Sequence, residues 1–151
     1  MKTFTVSFFG HRRLENALEI ERLIEGIVKP ILRENEFVEF LIGRDGEFDI
    51  LVASIIRRCK RIIRNDNSSL VWVLPYPTAE LNRDLEEFQN YYDSIEINHA
   101  SHYKSAHQER NRQMIDRSDL VVCYVAHSDG GAYQSMKYTK TQKKRIINIA
   151  E

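Results

Sequence analysis

Sulfur is scarce in this 151-residue chain: Cys59 and Cys123 are the only cysteines, too few for a disulfide scaffold. Both sit in apolar runs and neither has a partner at CxxC spacing, so they read as buried thiols. Long hydrophobic stretches are missing as well. No run approaches the ~20 apolar residues that cross a bilayer, so no membrane partner is expected. The chain opens on a strand-like segment rather than a charged-then-apolar leader, which makes the cytoplasm the expected compartment. An excess of one charge is also absent, with 22 Lys+Arg against 22 Asp+Glu. A nucleic-acid partner would need a local basic patch, and the overall balance gives no reason to expect one, which argues against nucleic acid.

Three motif absences narrow the chemistry. There is no Gly-x-Gly-x-x-Gly after the first strand, against an ordinary NAD-dependent dehydrogenase. There is no Gly-x-Ser-x-Gly elbow for a serine hydrolase. His99, His102 and His107 cluster without a usual ligand spacing, so no metal is expected, and no bound cofactor either.

What is present is ordinary for a globular protein: 42% hydrophobic and 29% charged residues. A chain of this length buries roughly two-thirds of its unfolded surface, and residues 1–151 read as one domain. Thr3–Phe9 reads as a strand with Phe4, Val6 and Phe8 on one face, ending at Gly10. Leu14, Leu18, Leu23, Ile24, Ile27, Val28 and Ile31 recur at helical spacing up to Leu32, with Pro30 expected to kink or end that helix. Phe37–Ile42 is a second strand. Phe48 to Ile63 carries the clearest helical face, and its basic C-terminal half complements the helix dipole. Leu70–Leu74 and Leu120–Val125 read as strands covered on both faces, the first ended by Pro75. Ser105–Arg117 and Tyr133–Thr141 read as helices and Arg145–Ile149 as the last strand. Residues 76–104 are the least legible, with a helix over Leu81–Tyr92 and a short strand over Ser94–Ile97. The alternation predicts an α/β fold, a Rossmann-like three-layer sandwich with a mostly parallel sheet, which binds ligands beyond the strand C-termini.

Four segments fall where that rule looks. Gly10-His11-Arg12 follows strand one and offers a close backbone turn and a planar guanidinium for phosphate. Gly43-Arg44-Asp45-Gly46-Glu47-Phe48-Asp49 opens the second helix. Its carboxylates suit capping, or acceptance of ribose hydroxyls or polarisation of a water, and the two roles coexist. Asp129-Gly130-Gly131-Ala132 opens a later helix and frees backbone N–H groups for an anion. Arg110-Asn111-Arg112 precedes the apolar pair Met114-Ile115, and Arg110 or Asn111 reaches ligand if that helix's N-terminus faces the cleft. Gly10, Gly43 and Gly130 are expected on one edge of the sheet.

In order and spacing these segments resemble the SLOG superfamily, the Rossmann-like group that joins LOG-type enzymes to the Smf/DprA DNA-processing proteins. The similarity is to its YpsA-like branch of small bacterial and phage proteins. It rests on Phe9-Gly10-His11-Arg12, on Gly43, Gly46 and Asp49, on Pro75, on Arg110-Asn111-Arg112-Gln113-Met114, and on Gly130-Gly131. The resemblance implies a nucleotide-type ligand across the strand ends. LOG-type members hydrolyse nucleoside monophosphates with a glutamate just after a Pro-Gly-Gly-x-Gly-Thr turn. Here Gln134-Ser135-Met136-Lys137-Tyr138 follows the turn and supplies no carboxylate. The leading expectation is therefore a binding module or sensor for a nucleotide or an NAD- or ADP-ribose-like derivative. An N-glycosidic hydrolase or transferase, LOG-like or deoxyribosyltransferase-like and using Glu47 or Asp49, is the alternative. Single-stranded nucleic-acid binding is a weaker one. A homo-oligomer is compatible with all three.

Overall fold

The β-branched and aromatic runs form six strands: β1 (Thr3–Gly10), β2 (Phe37–Ile42), β3 (Ser68–Leu74), β4 (Ser94–Ile97), β5 (Leu120–Tyr124) and β6 (Arg145–Asn148). In the computed structural model, which describes residues 2–151, they lie in the order β4-β3-β2-β1-β5-β6 with every neighbouring pair parallel. Parallel pairing requires crossovers, and the crossovers cover both faces. Helices α1 (Ala17–Glu34), α2 (Glu47–Ile62), α3 (Ala79–Arg83) and α4 (Leu85–Tyr91) lie on one face, over Val6, Phe8, Phe40, Leu70 and Trp72. Helices α5 (Ala106–Asp116) and α6 (Gly131–Thr141) lie on the other, over Leu41, Val71, Val73, Val121 and Cys123. This is the expected Rossmann-like three-layer sandwich. Among the described residues, no helix is long and apolar enough to cross a membrane.

Two elements depart from the sequence expectation. α1 runs through Pro30 rather than ending there, and its buried stripe is Ile20, Ile24, Val28 and Leu32. Leu18 and Leu23, read above as part of the apolar face, are 79% and 41% exposed. An i,i+4 ladder that includes Ile20 fits the sheet better than the one the leucines suggested. Pro30 costs a helix interior about 3 kcal/mol, and burial of Leu32 beyond it returns about 1.5–3 kcal/mol. The carbonyls of the final turn are also satisfied, Ile31 by Asn35 Nδ2 at 2.8 Å and Leu32 by Asn67 Nδ2 at 2.9 Å. The second departure is at 81–92, where two short helices replace one. Asp84, at φ −120° and ψ 37°, leaves helical geometry and separates α3 from α4.

Strand order gives the sheet its polarity. β1 to β4 are added in one direction, and the chain then returns to place β5 on the other side of β1. The reversal opens a crevice between the C-terminal ends of β1 and β5, where neighbouring loops must diverge.

Candidate functional site

A cleft of about 420 Å³ occupies that crevice. The end of β1 and the loop after it contribute Phe9 to Arg13, the loop after β2 Asp45, the first turn of α2 Asp49, α5 His107 and Asn111, and the loop and first turn of α6 His127 and Gly130 to Ala132. Gly10, Gly43 and Gly130 all follow strand C-termini on this one edge. Of the residues singled out from sequence, Gly10, His11, Arg12, Asp49, Asn111, Gly130, Gly131 and Ala132 line the cleft.

The other singled-out residues frame the cleft or face elsewhere. Arg110 is completely buried beneath the β2 and β3 ends. Its Nη1 donates to the carbonyls of Gly43 (3.2 Å) and Val73 (2.9 Å), its Nε to Asn111 Oδ1 (2.8 Å), and its Nη2 to Asp45. That network spends the guanidinium on holding loops together. Arg44, at φ +55°, turns toward α4, with its guanidinium 4.9 Å from the Phe88 ring and 3.2 Å from the Tyr92 hydroxyl. The Glu47 N–H donates to the Arg12 carbonyl (2.9 Å) and its Oε1 accepts from the Leu14 N–H (2.8 Å), so Gly46-Glu47 straps the β1 loop to α2. Pro75 lines a neighbouring concavity with Tyr76 and Tyr103, and Asp129 pairs with His127 at the surface.

Asp49 is the unusual group. It is 6% exposed, and its Oδ2 accepts from the Asp45 N–H at 2.8 Å. Its Oδ1 is buried without a hydrogen-bond partner. Burial, reinforced by the Asp45 carboxylate and partly opposed by Arg110, pushes its pKa up to about 7. An orphaned buried acceptor costs about 1–3 kcal/mol unless something supplies a donor.

The opposite wall is rich in donors. α6 begins at Gly131 with no side-chain cap and no acidic residue in its first turn, so its leading N–H groups are left to an incoming anion. Gly130 reaches the helix at φ +90°, a conformation that excludes a side chain in practice. Beside it, His11 Nε2 accepts from the Ala126 N–H (2.8 Å), and its ring stacks on His127 with centroids 3.6 Å apart. Burial first, then the neighbouring His127, lower the His11 pKa, while Asp129 opposes them; a neutral imidazole is what the Ala126 bond requires.

Sequence reasoning missed His107 and His127 as lining residues, because each reaches the cleft from outside a motif; Asp45, within the second segment read from sequence, and Arg13, directly after the first, line it as well. It also missed a second concavity of about 230 Å³ between α5 and α6, lined by Lys104, Arg112, Gln134 and Tyr138 among others. His107, Asn111 and Gly131 line both spaces, so the two adjoin across these residues. Arg12 and Arg13 stand at one end and Lys104 and Arg112 at the other, with Asp45 and Asp49 the only carboxylates in either lining. The His107 ring packs edge-on against Tyr76 (5.5 Å) of the neighbouring concavity, and Tyr76 packs against Tyr103 (4.8 Å), a residue 75% exposed. Among the described residues there is no cluster of histidine, cysteine and carboxylate side chains that could hold a metal ion.

No family model matches this chain, and no curated protein matches it. Solved structures do. DNA processing protein A from Helicobacter pylori, described for its unique single-stranded DNA binding mode, is matched with a TM-score of 0.63 at 14% identity, over 95% of this chain and 63% of that one. DNA processing protein A (DprA) from Streptococcus pneumoniae is matched with a TM-score of 0.69 at 12% identity, over 95% of this chain and 49% of that one. This chain therefore spans less than two-thirds of either neighbour, and at these identities the likeness is one of fold. The finding overturns two sequence expectations, the small nucleotide-derived ligand and the argument against nucleic acid. The neighbours are DNA-processing proteins, one of them described by how it binds single strands. Net charge sums over the whole surface and so carries no information about a local cluster such as Arg12, Arg13, Lys104 and Arg112.

Proposed function

We propose that this chain binds single-stranded DNA along the groove that runs from the β1–β5 crevice to the α5–α6 concavity. The observation that carries the reading is the groove's composition. Arg12, Arg13, Lys104 and Arg112 flank it, an uncapped helix N-terminus opens into it, and in the concavity beside it the exposed Tyr103 packs on Tyr76, whose ring meets His107 of the groove wall. Single strands are held by that combination of cationic track and aromatic faces, since every base has a face to stack and every phosphate a charge to neutralise. The Arg112 guanidinium already lies 5.0 Å over the Tyr138 ring, which limits the freedom it loses on meeting a phosphate. The fold likeness to proteins that process DNA supports the same reading. The Gly10-His11-Arg12 and Arg110-to-Met114 runs support placement in the YpsA-like branch, and a cytoplasmic site of action goes with such a partner.

Fluorescence anisotropy with a labelled single strand and the matching duplex tests the proposal. The single strand is expected to bind more tightly, with affinity falling as salt rises by a log–log slope of about −0.7 per phosphate contacted. Changing Arg12 and Arg112 together to serine should weaken binding of all sequences alike and flatten the slope by about 1.4. Tyr103→Ala should cost about 1–3 kcal/mol. A duplex preference, or an unchanged salt slope in the double variant, would remove the groove from the account.

A further inference from the structure

The concavity beside the groove differs from it in charge. Two prolines, two alanines and two tyrosines line it together with Asn98 and His99, and no lysine, arginine or carboxylate is among them. A phosphate there would lose water and gain no cation, which is unfavourable. A neutral planar ring loses little and gains the tyrosine faces. At about 270 Å³ the space lies below the ~300 Å³ at which sites for drug-sized ligands begin, so it is on the scale of one ring system rather than a whole nucleotide.

The chain places the two chemistries side by side. Tyr103, Lys104 and Ser105 form one 3₁₀ turn, in which successive side chains diverge by about 120°. Tyr103 lines the concavity, and Lys104 lines the α5–α6 end of the groove. Tyr76 ties the two spaces together. Its ring meets Tyr103 at 4.8 Å and 33°, and its hydroxyl accepts from the Tyr103 hydroxyl at 3.4 Å. It also packs at 5.5 Å against His107, which lines both halves of the groove. Tyr103 is thus anchored by Tyr76 and still 75% exposed. A backbone lying on the cationic residues runs beside a neutral aromatic site.

We propose that this concavity is a subsite for one base turned out of a strand bound in the groove, and that it takes a purine in preference to a pyrimidine. The inference rests on the single-strand reading above. Stacking is the attraction that an uncharged, tyrosine-lined space supplies, and it grows with the ring area covered. Two fused rings cover more of Tyr103 than one ring does. Tyr103 is then the specificity-determining residue, and it acts apart from the phosphate track. Removing it changes the base preference and leaves the salt dependence where it was, because salt dependence counts phosphates alone.

The experiment measures binding of three strands about twelve nucleotides long: oligo-dT, the same strand with one central adenine, and the same backbone without bases. Parent, Tyr103→Ala and Tyr103→Trp are compared across a range of salt. The parent is expected to bind oligo-dT about tenfold more tightly than the abasic strand, and the adenine strand about fivefold more tightly again, equivalent to about 1.4 and about 1 kcal/mol. Tyr103→Ala should lose most of both differences at an unchanged salt slope, and Tyr103→Trp should restore them. A parent that binds the abasic strand as tightly as oligo-dT, or gains nothing from the adenine, overturns the inference while leaving single-strand binding intact. Undiminished differences in a folded Tyr103→Ala remove the concavity as their source. A salt slope flattened by about 0.7 in Tyr103→Ala shows that Tyr103 serves to place Lys104 on a phosphate, and the base-subsite inference falls. Failure of every strand to bind the parent ends the single-strand reading, and this inference with it.

Discussion

Asp49→Asn should raise the stability of the free protein, and the gain should depend on pH. The carboxyl is buried, has one oxygen without a partner, and titrates at about 7 against a reference value of 3.8. Its folded-state pKa is thus raised. The associated stability is fully present below about pH 4 and is lost as pH climbs through 7, because the unfolded chain gives up the proton more readily. A displacement of about three pH units at about 1.4 kcal/mol each amounts to about 4 kcal/mol by pH 8, a large part of a typical 5–15 kcal/mol total. Asparagine carries no charge to desolvate and keeps an acceptor for the Asp45 N–H. Urea denaturation of parent and variant from pH 4.5 to 8.5 reads the effect. The gap between the two stabilities should be smallest at the acid end and widen by up to about 1.4 kcal/mol per pH unit until about pH 7, with the variant the more stable. Parallel curves, or a variant less stable than the parent at pH 8, would show that Asp49 is not a desolvated carboxyl.

Other consequences of the geometry are open to equally direct measurement. His11 accepts a hydrogen bond through Nε2, so its contribution is intact above pH 6.5 and lost as pH falls through its lowered folded value; an NMR titration midpoint above 6.5 contradicts this. A Cβ at Gly10 would lie 2.1 Å from Phe48 Cγ, so Gly10→Ala should cost about 1–3 kcal/mol in thermal or chemical unfolding, and adding Phe48→Leu should recover part of the loss. Arg110→Met strips partners from Asp45 and two carbonyls and should cost about 3–5 kcal/mol, with Arg110→Lys failing to restore it because one ammonium cannot replace the planar fork.

The sheet was legible because its strands are short apolar runs bounded by turn residues, and Phe37–Ile42 falls in the sequence pattern where it falls in the structure. The placement of the loops followed from strand order alone. What the pattern hid is tertiary. Arg110 sits in a polar stretch, and nothing in Arg110-Asn111-Arg112 distinguishes the buried arginine from the exposed one two positions on. Two residues rotate the helix by about 200°, so they face opposite ways, and only the packing of α5 on β3 decides which faces inward. Tyr103 and Tyr76 come from the stretch that resisted reading and meet each other and His107 only through the fold. A zero net charge concealed the groove, because acidic residues such as Glu21 and Glu25 pair with Arg58 on the α1–α2 face, away from the crevice.

The central claim is where a strand lies, and backbone amide shifts of the isotope-labelled chain during titration with an unlabelled single strand locate it. The account expects the largest changes at Arg12, Arg13, Lys104, His107, Asn111, Arg112, Gly131 and Ala132. It expects little change at Thr3, Glu36 and Asp119, at the strand N-terminal edge. Shifts centred on that opposite edge, or confined to the α1–α2 face, would contradict it.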